Sequence, residues 1–235
     1  APDTILKTVR YHKVTHIFAV PLLWHSLEKA IRAKIAQMDE KTQKKFDKGI
    51  NLSLKLQNSH PKLGKRFAKS AFKSIRSQLF GDSIQFCISG GSFLKESAVE
   101  LINALGYTLA NGYGMSEIGI ASVELSKYPA QRILCSIGKP FDSVEYKIGE
   151  KGQLLIKGDS LCPKMIINGT TIINDGWFDT GDIVHADDAG HYYIDGRISD
   201  IVFGDDGENL NPDFAEKAFS LPYAKAFSVL GNADN

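Results

Sequence analysis

Hydrophobic and polar positions in the first third of the chain predict one strand followed by a run of helices. Residues 14–20 are apolar and rich in β-branched side chains, and they stop at Pro21, which predicts a buried strand. Apolar residues then recur at helical spacing as far as residue 79. We expect these helices to be broken near residues 58–61 and at Gly64, where turn-forming residues interrupt the pattern.

The last part of this helical region is predicted to be amphipathic. Its apolar positions recur every four residues and would form the buried stripe, at Phe67, Ala71, Ile75 and Leu79. The basic side chains between them would point largely outward, at Lys65, Arg66, Lys69, Lys73 and Arg76. We therefore expect a helix with a basic outer face.

A strand–helix–strand unit follows. Residues 84–88 predict a strand, residues 94–105 a helix and residues 107–110 the next strand, which is typical of a parallel α/β sheet. The two strands run into the glycine-containing stretches 89–92 and 111–117. Because such sheets bind ligands beyond the carboxyl ends of their strands, we expect both stretches to face one cleft.

The stretch Asn111-Gly-Tyr-Gly-Met-Ser-Glu117 concentrates candidate chemistry in seven residues. Its two glycines allow the backbone to approach a ligand, and its tyrosine ring offers a flat face to a base. Ser116 can donate a hydrogen bond to a phosphate or carboxylate oxygen, and Glu117 is an oxygen ligand of the kind that Mg²⁺ prefers. A tight turn between a strand and a loop explains the same residues without any ligand.

After about Gly138 the pattern changes to short strands separated by turns. The predicted strands span residues 144–148, 153–157, 183–186 and 192–194, as in a small antiparallel β subdomain. Between two of them, Asp182 follows a glycine. A carboxylate at such a turn can accept both hydroxyls of a ribose, although a plain Asp turn is the alternative.

The last 35 residues predict a hairpin, a helix and a strand. Residues 201–203 and 208–210 flank a glycine-rich turn and would pair as the hairpin. Asn211 and Pro212 are typical of a helix start, and the helix would run to about Ser220. Residues 226–230 predict the strand.

Composition is that of an ordinary globular protein, with 43% hydrophobic and 23% charged residues among 235, enough for one large domain or two modest ones. The sequence contains no run of 18 apolar residues and no signal-peptide pattern at its start. Its three cysteines, Cys87, Cys135 and Cys162, lie far apart and form no metal-ligand pattern. We therefore expect a reduced, cytoplasmic compartment.

Positive charge is concentrated in one segment. Residues 26–80 hold 14 Lys and Arg against four Asp and Glu, a net +10, so the rest of the chain sums to −9 because the whole carries +1. A solvated helical face explains this excess, and peripheral contact with an anionic membrane is the alternative. Nucleic acid is not expected as a partner, since few aromatic residues are interleaved with the basic ones.

Five motifs follow one another along the chain: Tyr113-Gly-Met-Ser-Glu117, Gly152-Gln-Leu-Leu-Ile-Lys-Gly158, Gly176-Trp-Phe-Asp-Thr-Gly-Asp182, Gly196-Arg-Ile-Ser-Asp200 and Gly207-Glu-Asn-Leu-Asn-Pro212. Their order and spacing resemble those of the adenylate-forming (AMP-binding) superfamily. Within the superfamily, the basic helical segment and the stretches Val20–Trp24, Leu79–Gly81 and Ile88–Gly91 are similar to long-chain fatty acyl-CoA synthetases.

The resemblance implies a two-step ligase reaction. A carboxylic acid attacks the α-phosphate of ATP to give acyl-AMP, and a thiol, usually that of coenzyme A, then takes the acyl group. Ser116 and Glu117 match the catalytic positions, with Glu117 also matching the Mg²⁺ ligand. The positions that match nucleotide-binding residues are Gly90, Gly91, Ser92, Asn111, Gly112, Tyr113, Gly114, Met115, Ser116, Asp182 and Arg197. Asp182 would take the ribose hydroxyls, and Arg197 would contact the ribose side.

The fold class that follows is α/β, in three parts. Residues 1–138 would form the C-terminal portion of a large AMP-binding domain with a partial parallel sheet, and residues 26–80 would be a helical insert within it. Residues 139–196 would form the small antiparallel β subdomain. Residues 197–235 would form the hinge and the start of an α+β C-terminal lid domain.

The sequence departs from the family pattern at several places. The phosphate loop rich in Ser, Thr and Gly and the C-terminal lysine used for adenylation are absent, so we expect the chain to be a piece of a longer protein. Ser199 stands at the hinge position where Asp or Lys is usual, and residues 164–174 lack the usual Gly-Tyr-Tyr-like stretch. A ligase that loads a carrier protein and a non-catalytic nucleotide- or membrane-binding module are the alternative functions.

The missing motifs generate a first prediction. The 235-residue chain by itself should not form acyl-AMP at a normal rate, because no phosphate loop and no catalytic lysine are available to the ATP phosphates. Acid-dependent pyrophosphate release measures this directly. Robust release by the chain alone would contradict the assignment of these two elements as necessary parts.

Overall fold

The chain divides into two compact units, Ala1–Lys139 and Pro140–Asn235, and each is described by itself. The computed structural model describes the following residues: 2–167, 170–174, 176–200, 202–203 and 209–210. Within these residues, every helix is too short or too polar to cross a bilayer.

The first unit is built on a mainly parallel sheet. Its strands lie side by side in chain order as β1 (His16–Ala19), β2 (Phe86–Ser89), β3 (Leu109–Met115), β4 (Gly119–Val123) and β5 (Lys139–Pro140). Strands β1, β2 and β3 run parallel, and β4 folds back antiparallel to β3. The predicted strand–helix–strand unit is confirmed by β2, a helix and β3.

Seven helices of this unit lie among the described residues. They are α1 (Pro2–Tyr11), α2 (Pro21–Ala36), α3 (Glu40–Ser59), α4 (Pro61–Ala71), α5 (Lys73–Gln78), α6 (Glu96–Ala104) and α7 (Pro129–Ile133). Four of them begin at a proline, whose fixed φ suits the first helical position. The side chain of Asp39 caps α3 by accepting a hydrogen bond from the Thr42 amide at 2.9 Å.

An aromatic row lies in the core of the first unit. Trp24 of α2 contacts Phe80 edge-on with ring centroids 6.1 Å apart, and Phe80 contacts Tyr107 in the same way at 5.4 Å. All three rings are at most 1% exposed, and the Tyr107 hydroxyl donates to the Gly81 carbonyl at 2.8 Å. The row therefore fixes α2 and the segment before β3 to one another, since edge-to-face pairs add to the free energy of burial.

The second unit contains a four-stranded antiparallel sheet. Its elements are β6 (Val144–Ile148), β7 (Gln153–Gly158), β8 (Lys164–Ile167), β9 (Thr170–Ile173), β10 (Phe178–Ala186), β11 (Tyr192–Arg197), a 3-10 turn (Ile198–Asp200), β12 (Val202–Phe203) and β13 (Asn209–Leu210). The sheet has the order β11–β10–β7–β6, and β8 pairs with β9. The predicted antiparallel β region is confirmed.

Strand boundaries in this unit differ from the prediction. Strand β10 begins at Phe178, five residues earlier than predicted, so most of the motif ending at Asp182 is strand rather than connection. The β8–β9 hairpin was not predicted. Strands β12 and β13 pair as the predicted terminal hairpin. The predicted helix 211–220 and strand 226–230 lie outside the described residues.

The amphipathic helix is where the sequence prediction is wrong. Helix α4 ends at Ala71 and α5 begins at Lys73, so the two do not form one continuous helix. Ala68, Phe72 and Arg76 are buried one residue beyond predicted positions of the stripe, and Ala71 is exposed. The predicted burial of Leu79 is confirmed, and Ile75 is half-buried against the core. The predicted break at Gly64 is also wrong.

Close packing of two helices explains the glycine. A Cβ at Gly64 would lie 2.4 Å from the amide nitrogen of Gln57, so only a glycine lets α4 approach α3 this closely. The position therefore serves helix packing rather than a helix end. Two basic side chains that were expected to point outward turn inward: Lys65 donates to the Thr108 hydroxyl at 2.7 Å, and Arg76 is 1% exposed.

Arg76 joins the helical region to the strand–helix–strand unit. Its Nη1 donates to the Leu105 carbonyl at 2.7 Å, and its Nη2 bonds Asp82 at 2.7 Å. Its guanidinium also stacks 4.1 Å from the centroid of the Tyr107 ring. Burial raises the pKa of the Tyr107 hydroxyl to about 12, while the charge of Arg76 opposes this rise. Tyr107 is therefore neutral and can donate its proton to a carbonyl.

Arg76→Met provides the test of this contact. Removing the donors leaves the Leu105 carbonyl buried without a partner, so the free energy of unfolding should fall by about 2–4 kcal/mol. Urea unfolding of the 235-residue chain measures the change. Lys73→Met, on the exposed side of the same helix, should stay within about 0.5 kcal/mol of the wild type. Equal losses in the two variants would contradict the assigned role.

Candidate functional site

The glycine motif forms an antiparallel hairpin. Residues 111–115 belong to β3, so the expected loop is corrected to a strand, and only Ser116, Glu117 and Ile118 form the turn to β4. The Ile118 amide closes this turn by donating to the Met115 carbonyl at 3.2 Å. Ser116 is exposed and Glu117 is half-buried, so the hairpin presents a hydroxyl and a carboxylate side by side at its tip.

The glycines of this hairpin are required by close backbone contacts. A Cβ at Gly114 would lie 2.2 Å from the carbonyl oxygen of Gly119 across the hairpin. One at Gly112 would lie 3.0 Å from the Ile88 side chain on β2. The contact at Gly114 excludes a larger residue without movement of β3 or β4, whereas at Gly112 the Ile88 side chain would have to shift.

The Ser-Gly-Gly-Ser turn lies next to the hairpin at the edge of the sheet. Ser89, the last residue of β2, is in register with Asn111, and a Cβ at Gly90 would lie 3.2 Å from the Gly112 carbonyl oxygen. Gly91 has φ of +92°, a conformation that glycine adopts without strain. Ser92 follows it and is exposed. The structure thus brings together the two glycine stretches at the edge where the sequence analysis expected them.

The Asn111 side chain has a structural contact. Its amide nitrogen donates to the Cys135 carbonyl at 2.8 Å, and the residue is 9% exposed. Its backbone carbonyl accepts from the Glu124 amide at 2.8 Å. Any contact of Asn111 with a nucleotide therefore has to be compatible with these bonds. Neighbouring Tyr113 is half-buried and pairs with Ser122 on β4.

The Glu117 carboxylate suits a metal ion that is bound by the protein and a substrate together. Among the described residues, no group of three or more His, Cys, Asp or Glu side chains is arranged to hold a metal ion. Mg²⁺ is commonly held by one or two carboxylates together with substrate phosphates and water. A single half-buried carboxylate at Glu117 fits that arrangement, and it does not fit a site made of protein ligands alone.

Asp182 and Arg197 form an ion pair in the second unit. They stand opposite each other on β10 and β11, and the Arg197 Nε lies 2.9 Å from an Asp182 carboxylate oxygen. The Asp182 side chain is 12% exposed and that of Arg197 is 54% exposed. A carboxylate can accept several hydrogen bonds at once, so this pair is able to receive hydroxyl donors as well.

The residues that orient Asp182 were missed by the sequence analysis. The Thr180 hydroxyl accepts from the Asp182 amide at 3.1 Å and donates to the Leu154 carbonyl on β7 at 2.9 Å. The Asp179 carboxylate accepts from the Gly181 amide at 2.9 Å, and Gly181 has φ of +71°. The signal was present in the order Asp-Thr-Gly-Asp, because Asp and Thr side chains bond amides two residues ahead in turns.

Sequence comparison finds relatives among acid–CoA ligases. The 2-succinylbenzoate–CoA ligase of Listeria monocytogenes serotype 4b (strain F2365) is 29% identical over 165 residues, covering 68% of this chain and 35% of the relative. The long-chain-fatty-acid–CoA ligase FadD15 of Mycobacterium bovis is 29% identical over 171 residues, covering 71% and 28%. The chain thus spans about a third of the length of these curated relatives.

The fold is also that of a solved structure. The o-succinylbenzoate CoA synthetase of Bacillus subtilis, in complex with an acyl-adenylate intermediate, matches with a TM-score of 0.68 and 22% identity, covering 100% of this chain and 42% of that one. The family model for the AMP-binding enzyme matches residues 1–164. The predicted resemblance is therefore confirmed, and the chain belongs to the family of AMP-binding, adenylate-forming enzymes.

Proposed function

We propose that the chain is part of an ATP-dependent ligase that activates a carboxylic acid as acyl-AMP and transfers it to coenzyme A. The observation that carries this proposal is the hairpin tip, where Ser116 and Glu117 are consecutive residues of the turn between two strands that pack closely at Gly114. A hydroxyl donor beside a magnesium-type carboxylate suits a phosphoryl centre on which negative charge develops.

Each residue has a role that follows from its chemistry. Ser116 donates a hydrogen bond to the α-phosphate or to the acid, as the acid oxygen bonds to phosphorus and pyrophosphate leaves. Glu117 holds Mg²⁺, which when bound neutralises charge on the phosphates. The second unit contributes Asp182 as the acceptor for the ribose hydroxyls, with Arg197 fixing the position of its carboxylate.

The remaining nucleotide contacts come from the edge of the sheet. Gly90, Gly91 and Ser92 on one side and Asn111, Gly112 and Tyr113 on the other enclose the adenine, with Gly114 and Met115 completing the strand. In the proposed domain arrangement, residues 1–138 belong to the large domain, residues 139–196 to the β subdomain and residues 197–235 to the hinge and the lid.

We propose a long-chain fatty acid as the substrate. This is supported by the stretches shared with long-chain synthetases and by the fatty-acid ligase named among the relatives. A second relative is named as a ligase of 2-succinylbenzoate, so that aromatic acid is the alternative substrate to be tested. Coenzyme A is the proposed acceptor, and the thiol of a carrier protein is the alternative.

Pyrophosphate exchange by the intact gene product tests both the adenylation activity and the identity of the acid substrate. Exchange should peak with long acids in a series from acetate to palmitate that includes 2-succinylbenzoate. Asp182→Ala should lower exchange at subsaturating ATP by roughly 10- to 100-fold, since hydrogen bonds to charged groups contribute about 1.5–3 kcal/mol. Asp188→Ala, in an exposed turn of the same unit, is the matched control and should exchange normally.

Each result that contradicts the proposal would overturn a different part of it. A peak with 2-succinylbenzoate would overturn the fatty-acid assignment and keep the ligase. Acyl transfer to a carrier protein but not to coenzyme A would overturn the proposed acceptor. The absence of exchange with any acid, in a protein that still binds AMP, would favour the non-catalytic binding module.

A lysine-rich face of α3 supports peripheral membrane contact as an additional role. Lys41, Lys44, Lys45 and Lys48 are exposed and recur at helical spacing, and Leu52 on the same face is 45% exposed. Opposite them, α3 buries Phe46 and Leu54 in the first unit. A basic face with an exposed apolar side chain suits the surface of a bilayer that contains anionic lipid.

Vesicle binding by the intact gene product tests this role. Binding to vesicles that contain phosphatidylserine should weaken steeply between about 0.01 and 1 M salt, as the Debye length falls from about 30 to 3 Å. Replacing Lys41, Lys45 and Lys48 together by glutamine should cost about 3 kcal/mol, roughly 100-fold in affinity. Replacing the exposed Lys147, Lys151 and Lys157 in the second unit is the control. Equal losses, or binding that ignores salt, would contradict the assignment.

A further inference from the structure

A buried charged network lies at the end of the β3–β4 hairpin opposite its tip. Glu124 directly follows β4, Arg132 lies in α7, and both are 1% exposed. Replacing buried charges by apolar groups of similar volume is often neutral or stabilising, so stability alone does not explain such a network. Its contacts therefore have to be examined for what they hold in place.

Arg132 connects the two ends of the hairpin. Its Nη1 donates to the carbonyl of Ser126, three residues after β4 ends, at 2.5 Å. Its Nε donates to the side-chain oxygen of Asn103 at 2.9 Å. The Asn103 amide nitrogen in turn donates to the carbonyl of Leu109, the first residue of β3, at 2.9 Å. Two side chains thus join the start of one strand to the segment that follows the other.

Glu124 adds a second set of bonds at the same end. Its carboxylate accepts from the Ser126 amide at 2.9 Å and from the Ser136 hydroxyl, and its own amide donates to the Asn111 carbonyl at 2.8 Å. Asn111 also holds the Cys135 carbonyl. The chain on both sides of α7 is therefore tied to the base of the hairpin.

Burial of this network is energetically unfavourable. Burial lowers the pKa of Arg132 to about 10, while the negative charge of Glu124 acts in the opposite direction. The Nη2 of Arg132 is buried and has no hydrogen-bond partner among the described residues. Buried polar groups in folded proteins are nearly always satisfied. A network that leaves such a group unpaired is better explained by the position it enforces than by the free energy it contributes.

We propose that Arg132 and Asn103 are positioning residues that set the angle at which the hairpin presents Ser116 and Glu117. The proposal rests on the proposed function of that tip. Strand β3 has seven residues, so the tip lies about 20 Å from Leu109 at about 3.3 Å per residue. A tilt of about 3° at the base would then move the tip by about 1 Å, a displacement that can lower a rate by about 100-fold.

The first readout is amide exchange along the hairpin of the intact gene product. Arg132→Lys keeps the charge and most of the volume, but one ammonium cannot reproduce the two diverging bonds of the guanidinium. We expect amides of residues 112–123 to exchange about tenfold faster than in the wild type, because the base of the hairpin opens more often. Asn103→Ala should act in the same direction.

Arg76→Met is the matched control. Arg76 is equally buried and also donates to backbone carbonyls, and none of its described contacts lies on the hairpin. It should lower the thermal midpoint while leaving exchange of residues 112–123 near the wild-type rate. Faster exchange of the hairpin in Arg76→Met and Arg132→Lys alike would overturn the proposal.

The second readout is a split between kcat and KM in pyrophosphate exchange, measured well below the melting temperatures. Arg132→Lys should lower kcat at saturating ATP by roughly 10- to 100-fold, and Arg76→Met should leave it within about threefold. An unchanged kcat in Arg132→Lys would overturn the proposal. If the wild type exchanges with no acid, the proposed function of the tip fails, and amide exchange alone decides whether Arg132 holds the hairpin.

Discussion

The close approach of backbone to backbone around β3 is the constraint on which the candidate site depends. A Cβ at Gly114 would lie 2.2 Å from the Gly119 carbonyl oxygen, and one at Gly138 would lie 2.3 Å from that of Val123. Real Cβ atoms are not found at such distances, so the strands reach this spacing only with glycine. The turn that carries Ser116 and Glu117 therefore joins two closely packed strands, and rigid supporting elements help a site to hold its geometry.

The helical region of the first unit also supports its sheet, through contacts with the end of helix α6. The carbonyls at the end of α6 would lack partners inside the helix. Those of Asn103, Ala104 and Leu105 accept from Gln57, Ser53 and Arg76, which all come from the helical region. Helix α6 leads directly into β3, so the region that looks like an insertion in the sequence satisfies backbone carbonyls at the end of the helix that precedes β3.

Sequence patterns predicted the strands and glycine stretches around the candidate site better than the side-chain contacts that support them. The parallel unit, its glycine stretches and the antiparallel second unit could be predicted because each depends on local periodicity and turn chemistry. The burial of Arg76 and Arg132 could not be predicted. Arg76 lies at a position where the helical pattern predicts an exposed residue, and Arg132 lies in a segment without a recognisable pattern. Their burial is decided by carbonyl groups that lie about 30 residues away in the sequence, at Leu105 for the first and on Asn103 for the second.

Local contacts hold the candidate residues of each unit in place without any ligand. In the second unit, Asp179 and Thr180 hold the turn that carries Asp182, and Arg197 is in register with it on the next strand. In the first unit, glycine packing holds the hairpin tip. Each group of candidate residues is therefore positioned by contacts inside its own unit. Preorganisation of this kind reduces the conformational entropy lost when any ligand binds, so more of the free energy of binding remains available for orienting that ligand.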